Sequence, residues 1–378
     1  MVTTPPLNGL RIIEFAGIGP APYAGQLLAD LGADVIVVDR PKRGSIALAK
    51  APDRRGKRSI VIDLKTNEGA ALAIKIATSC DVLIEGNRPG VMERLGLGPE
   101  PLMTAQPKLI YARMTGWGQA GPMAQQAGHD INYLALTGAL HAMGDSDRPP
   151  SPPLNLVGDF GGGSMFLIMG ILSALFAVRS TGKGQVVDAA IVDGVNSMMG
   201  MFHGLHAAGR WTDERQANWL DGGTPYYRCY RCKDERFMAV GCIEPQFFAQ
   251  MLTRLGIDPA QFGGQHEGRR HRAQMAELEA LFATKTMQEW TEVFAGSDAC
   301  VTPVLTYTEV TDDPHMRARS ALTELAGIKQ PAVAPIMDKG LATPAHMPED
   351  GADTTEILAE IGVKEIKPLI SAGVVKQA

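Results

Sequence analysis

Cysteine, aromatic residues and basic charge are all in short supply in this chain, and each shortage removes a class of protein. Five cysteines in 378 residues are too few and too scattered for a disulfide framework. Aromatic residues make up 6% of the chain, which offers no base-stacking platform. A net charge of −5 and a pI near 5.9 lack the electrostatic footprint of a nucleic-acid partner. The opening residues have neither the basic start nor the apolar centre of a signal peptide. The final Val-Lys-Gln-Ala is not a peroxisomal address, so a reducing cytoplasm is the expected compartment. One apolar run, residues 161–178, approaches the length of a membrane span, but three glycines open it and Asp159 and Arg179 bracket it. It is expected as a buried core helix, with no membrane involved.

What remains is 45% apolar, with 42 glycines and 25 prolines punctuating the apolar segments rather than forming tracts. The length suits two domains, or one large domain with a lobe. Residues 10–15 read as a strand, 17–22 as a Gly/Pro-rich turn, 23–31 as a helix stopped by Gly32, and 33–38 as a second strand. Strand, helix, strand is the start of a parallel α/β sheet. Further strands are expected at 59–62, 82–84, 109–114 and 185–190, with a helix at 68–79. From 194 to 217 the pattern is helical. A hairpin follows at 224–230 and 236–241, then helices at 246–255, 273–282 and 286–294. A Pro-rich connection (330–347) leads to a last helix at 353–361, with Asp353 as its cap.

Several constellations carry chemistry. Gly17-x-Gly19-x-x-Pro22, with Asp39 closing the second strand, looks like part of a dinucleotide fingerprint. Its third glycine is replaced by a proline, which has no N–H for a phosphate. This leaves a structural turn or another adenosine ligand as the better reading than NAD. Arg40 suits an adenine face or a phosphorylated ribose. Arg54, Arg55, Lys57 and Arg58, with Lys65, Arg88 and Arg94 beyond, are either an anion site or a solvated basic loop. Cys229-x-x-Cys232 lacks further zinc ligands and sits at a strand end rather than a helix start, so both thiols read as structural. His203 and His206 read likewise. Asp159 is more pointed. It lies among apolar residues before a glycine-built helix start, where burial would raise its pKa and helix N–H groups would favour its charge.

With Gly128-His129-Asp130-Ile131-Asn132-Tyr133 and Leu154-Asn155-Leu156-Val157-Gly158-Asp159 in view, the sequence resembles the family III CoA-transferases, on their α-methylacyl-CoA racemase branch. Gly9-Leu-Arg-Ile-Ile-Glu14, Leu83-Ile-Glu-Gly-Asn-Arg-Pro-Gly90, Tyr111-Ala-Arg-Met-Thr-Gly-Trp-Gly118 and Leu220-Asp-Gly-Gly-Thr-Pro-Tyr226 carry the match from about residue 7 to 306. Gly128–Tyr133 and the segment from Gly241 to Pro245 favour racemase over transferase.

The resemblance implies an open, parallel-sheet α/β large domain at 1–198, with 325–378 returning to it. It also implies a helical linker at 199–223, a small α+β domain at 224–324, and an interlocked homodimer. It places CoA against Arg40, Ile62, Asp63, Leu64, Lys65, Gly86, Asn87, Arg88 and Arg94, and the pantetheine and thioester against Gly128, Asp130, Ile131, Asn132 and Tyr133. It makes His129 and Asp159 the two bases of a 1,1-proton transfer through an enolate, with Glu244 hydrogen-bonding His129. The backbone N–H of Asp130 and the glycines at 161–163 would face the enolate oxygen. Acyl-CoA is the substrate, CoA is part of it, and no metal or other cofactor is required. In the alternative, a CoA-transferase, Asp159 is the nucleophile that forms an acyl-enzyme. A non-catalytic CoA-binding module and an NAD oxidoreductase are the remaining readings.

Overall fold

The computed structural model describes residues 4–42, 51–338 and 346–378. Part of the Pro-rich connection expected at 330–347, residues 339–345, lies outside the described residues, as do the first three of the chain. The chain forms two compact units. The first comprises Met1–Thr137, Leu154–Met198 and Arg319–Ala378, and the second Gly138–Pro153 and Met199–Ala318.

In the first unit, six parallel strands and one antiparallel edge strand make a seven-stranded sheet. They are β1 (Arg11–Phe15), β2 (Asp34–Asp39), β3 (Arg58–Ile62), β4 (Val82–Glu85), β5 (Ile110–Thr115), β6 (Val186–Ala190) and, at the edge, β12 (Val375–Lys376). Their order is β12-β3-β2-β1-β4-β5-β6. Runs such as Asp34–Asp39 are buried almost throughout, as expected for a parallel sheet covered on both faces. The helices are α1 (Pro20–Asp30), α2 (Asn67–Thr78), α3 (Val91–Arg94), α4 (Pro99–Ala105), α5 (Asp130–Leu136), α6 (Phe166–Thr181) and α7 (Ile191–Met198). Ile13, Ile36, Ile60, Leu83, Tyr111 and Ile76 meet in the core on one side of the sheet. The open parallel α/β architecture expected from the sequence is present. The strand order reverses between β1 and β4, and in such sheets the crevice beyond the carboxyl ends at the reversal is where ligands bind.

Local departures from expectation have physical causes. Helix α1 begins at Pro20, inside the expected turn, because prolines fit a first helical turn whose N–H groups have no partner to lose. Asp353 stands at the N-cap of the helix Thr354–Glu360, but its Oδ2 accepts the N–H of Ser59 at 2.8 Å instead of capping. The expected core helix is a longer object: a π-helix at Leu156–Met165 runs straight into α6. These 26 residues are long and apolar enough, by length and composition, to cross a membrane, and 33% of their most apolar window is buried. Gly162, Gly163, Leu167, Ile171 and Ala174 face the core, whereas Met165, Met169 and Phe176 are exposed. It is therefore a core helix on one face only.

The basic run before β3 is neither a solvated loop nor an anion site. Arg54 grips Asp39 in a fork, at 2.9 and 2.7 Å. Arg55 does the same to Asp30 at 2.9 and 2.6 Å. Lys57 Nζ lies 2.7 Å from Glu14 Oε2 and donates to the Pro22 carbonyl at 2.9 Å. Arg58 joins Asp34 and Glu360, both at 2.6 Å. The four cations are spent on fastening β3 and its approach to β1, β2, α1 and the helix Thr354–Glu360, which a further helix, Ile366–Ser371, follows.

The second unit is built on an antiparallel sheet of β7 (Tyr227–Arg231), β8 (Phe237–Gly241) and β9 (Val301–Pro303), in that order. Its core gathers Tyr230, Met238, Phe248, Phe282 and Trp290, and the Trp290 indole donates to the Phe282 carbonyl at 2.8 Å. Two helices open the segment expected to be a linker and its neighbour: α8 (Gly200–Ala207) and, after the sheet's first hairpin, α9 (Pro245–Leu255). Helix α8 and residues 208–223 belong to this unit rather than standing between two domains. So do residues 138–153, which the sequence reading assigned to the large domain. The reason is the Arg215 guanidinium, which donates to the carbonyls of His141, Asp145 and Arg148. The remaining strands, β10 (Leu322–Leu325) and β11 (Ile328–Pro331), form a separate hairpin in the first unit.

Candidate active site

The residues expected to meet CoA leave the carboxyl ends of neighbouring strands. Arg40 follows β2, Ile62 ends β3 and leads into Asp63-Leu64-Lys65, and Gly86-Asn87-Arg88 follow β4. Arg94 closes the short helix α3. Arg40 Nη2 reaches Asn87 Oδ1 at 3.5 Å, which joins the first and third of these groups. Lys65, Arg88 and Arg94 are exposed and make no ion pair among the described residues. Ile62 is different: its side chain is 1% exposed within the core, so it can meet a ligand only through its backbone.

The segment that carries His129 is drawn toward the same crevice. Gln125 donates to the Pro89 carbonyl at 3.1 Å, in the loop after β4. Helix α5 then starts, with His129 at its N-cap and the His129 N–H donated to Asn132 Oδ1 at 3.0 Å. Tyr133 is buried, stands edge-on to Trp117 with ring centroids 4.7 Å apart, and donates to the Gly128 carbonyl. The positive charge of Arg88 acts on the Tyr133 hydroxyl, so the end of β4 and α5 share one electrostatic neighbourhood. His129, Ile131 and Asn132 are exposed there.

Asp159 lies in the π-helix, half-buried. Its pKa is pushed up to about 6, first by burial and then by the negative charge of Asp130; a hydrogen bond from Asn155 and the positive charge of His129 oppose this. His129 and Asp159 thus lie within electrostatic reach of each other in one unit. The glycine loop after β1 passes beneath Asp159: Gly19 has φ +73, and a Cβ there would stand 3.1 Å from Asp159 Oδ2. Ser164 Oγ donates to the Pro20 carbonyl at 2.7 Å, and Tyr23 packs on Phe160 with centroids 4.4 Å apart. The half-fingerprint glycine therefore makes room for a carboxylate. Asp39, its supposed ribose partner, is taken by Arg54 and by Ser59 Oγ at 2.6 Å.

Asp130 departs from its expected role as a residue lining CoA. Its carboxylate is turned inward and accepts the Asp159 N–H at 2.7 Å. Burial raises its pKa, opposed by the N–H groups of Asp159 and Gly158. Nothing in the sequence signalled this pairing, because it joins a side chain to backbone 29 residues away.

Glu244 is carried by the second unit. It is exposed at the N-cap of α9, and its carbonyl accepts the N–H groups of Phe247 and Phe248. Gln265, which the sequence reading missed, holds the approach to Glu244 by donating to the carbonyls of Cys242 at 3.1 Å and Ile243 at 2.6 Å. Among the described residues, no three His, Cys, Asp or Glu side chains are grouped to hold a metal ion. Cys229 is exposed and Cys232 is buried in the core of the second unit.

Residues 7–354 match the family described as CoA-transferase family III. The chain belongs to that family. This family III chain is 42% identical over 363 residues to alpha-methylacyl-CoA racemase of Mus musculus, covering 95% of this chain and 94% of the mouse protein. It is likewise 42% identical to alpha-methylacyl-CoA racemase of Homo sapiens, with 94% and 93% covered. Among solved structures, a CaiB/BaiF family protein from Brucella suis superposes with a TM-score of 0.81 at 28% identity, covering 95% of this family III chain and 100% of the other. Asp159, raised to about 6 by burial and by the charge of Asp130, lies in the electrostatic field of His129.

Proposed function

We propose that this family III protein is a racemase that inverts the α-carbon of 2-methyl-branched acyl-CoA thioesters by two-base proton transfer. The observation that supports the reading is the Asp159 carboxyl group, raised to about 6 and acted on by the charge of His129. The names of the mouse and human relatives supply the substrate class. One base removes the α-proton on one face, and the conjugate acid of the other returns a proton to the opposite face. The enolate oxygen between these steps is met by the Asp130 N–H; the glycines at 161–163, expected to open a helix there, lie within the π-helix, with Gly162 and Gly163 packed into the core. The reaction calls on no metal and no redox cofactor, and CoA leaves as it came, within the thioester.

The test is NMR in deuterated water with each enantiomer of 2-methylacyl-CoA and no free acid present. Exchange of the α-hydrogen from both enantiomers, with racemisation, is expected. Hydroxylamine trapping of an acyl group at Asp159 would instead identify the transferase reaction, in which that carboxylate attacks the carbonyl carbon.

The CoA end of the reading rests on Arg40, Asn87 and Arg88 at the carboxyl ends of β2 and β4, with Lys65 and Arg94 near them. Loss of a charge-assisted hydrogen bond costs about 1.5–3 kcal/mol. Arg40→Ala should therefore raise KM for acyl-CoA about 10–100-fold with a smaller change in kcat. An unchanged KM in folded protein would remove Arg40 from the site.

The same reading includes an interlocked homodimer in the cytoplasm. Leu136, Leu156, Met169, Phe176 and Met201 are large apolar side chains exposed on the single chain, and burial against a second copy would remove them from water. Sedimentation should give twice the mass of 40.4 kDa. An active monomer would contradict it.

A further inference from the structure

We infer that Asp130 is a positioning residue for Asp159: its buried carboxylate holds the π-helical turn that presents Asp159 and couples that turn to His129, its own neighbour in the chain. The inference rests on the reading of Asp159 as one of the two bases.

The first bond of the π-helix runs from the Phe160 N–H to the Asn155 carbonyl, 3.1 Å, five residues back. The N–H groups just ahead of it therefore have no acceptor inside the helix. The last of them belongs to Asp159, and Asp130 Oδ1 accepts it at 2.7 Å; the neighbouring Gly158 N–H also favours the charged form of that carboxylate. A Cβ at position 158 would stand 2.2 Å from Asp130 Oδ1, so glycine there leaves the carboxylate its place and a larger residue would displace it. Asp130 is 9% exposed, so this bond is shielded from competing water. Asp130 is also the first residue of α5, directly after His129, and α5 is itself held by Tyr133 against Trp117. The two proton-transfer groups thus stand on one continuous hydrogen-bonded piece, although 30 positions separate them.

The arrangement also sets charge. Asp130 is the carboxylate whose negative field raises the pKa of Asp159. The other groups that act on Asp159 are His129, ahead of α5, and Asn155, ahead of the π-helix. On the helices packed against the π-helix, Tyr133 of α5 feels the charge of Asp159, Tyr23 of α1 lies against Phe160, and Asp193 of α7 is exposed.

The experiment compares α-hydrogen exchange from each enantiomer, over pH, in wild type, Asp130→Asn, Asp130→Glu and Asp159→Asn. Asp130→Asn keeps one acceptor oxygen and loses the charge. Exchange from the enantiomer served by Asp159 should fall about 10–100-fold, the usual cost of a misplaced reacting group. Exchange from the enantiomer served by His129 and KM should change less than about threefold. The acid limb of the Asp159-dependent profile should move toward lower pH, because the neighbouring negative charge has gone. Asp130→Glu should keep that limb near its wild-type position while still losing rate. If Asp130→Asn does not fold, Gly158→Ala displaces the same carboxylate, and the same enantiomer-selective loss is expected. An unmoved acid limb with equal losses from both enantiomers would reduce Asp130 to a structural residue and overturn the inference. Full exchange from both enantiomers in Asp159→Asn would overturn the two-base reading itself, which is a separate outcome.

Discussion

Asp159→Ala should abolish racemisation in both directions while leaving one enantiomer still able to exchange its α-hydrogen with solvent. A positioned acid–base group contributes about 10²–10⁴-fold, and a loss within that range is expected for the overall reaction. The reason is directional. Each base takes its proton from one face only, so the enantiomer facing His129 can still form the enolate and recover deuterium from the same imidazole. The enantiomer facing Asp159 cannot begin. His129→Ala should give the mirror result. In wild type, the Asp159-dependent half should require pH above about 6, because that carboxyl group is raised to about 6 and only its ionised form is a base. An ordinary aspartate would hold its activity about two units further into acid. Exchange measured on separate enantiomers by NMR decides the matter. Loss from the same enantiomer in both mutants would defeat the opposite-face assignment.

Lys57→Met should severely destabilise the first unit. Lys57 and Glu14 are each about 1% exposed, in contact beneath α1, and Gly25 leaves them their space: a Cβ there would stand 1.8 Å from Glu14 Oε2. Removing one member of a buried pair strands the other, at about 3–5 kcal/mol. The cost should depend on pH in a defined direction. Burial already raises Glu14 to about 7 against an ordinary 4.5, with Lys57 opposing the rise. The folded state therefore holds a proton that the unfolded chain has released, and stability from this group falls as pH climbs through that window. Without Lys57 the folded value rises further. The loss should be largest near pH 8 and smaller near pH 5, where Glu14 enters the fold neutral. Urea unfolding at the two pH values measures it. A loss independent of pH would mean that Glu14 is not left uncompensated, and the double change Glu14→Gln with Lys57→Met should recover much of the stability. Because Lys57 also donates to the Pro22 carbonyl in the first turn of α1, activity should suffer through the Gly19 loop beneath Asp159.

Reading the strands needed only local pattern. Runs such as Val35–Val38 are apolar on both faces, and their placement between helical segments specifies a parallel sheet. Asp159 was legible for a similar reason, as a carboxylate set among apolar residues and glycines. The partners of the basic run were not. Arg58 meets Glu360 across 302 positions, a distance in sequence that no window spans. The π-helix escaped for another reason: its composition is that of any apolar helix, and what distinguishes it is where its N–H groups go. Asp130 was marked as part of the site, but only its backbone was given work, since a carboxylate's acceptor role toward remote backbone leaves no trace in spacing. β12 went unseen because two residues carry no periodicity.

That short edge strand has a consequence for how the protein is made. Val375 pairs with Ile62, so β3 lacks its outer neighbour until the ribosome has added some three hundred further residues. At about 5–20 residues per second this takes about 15–60 s. Throughout that interval the β3 edge of the half-built sheet, next to the turn at Asp63–Lys65, presents unpaired peptide groups to whatever lies near, including a neighbouring nascent chain. The second unit is translated within the same interval, so it can fold before the sheet of the first is closed.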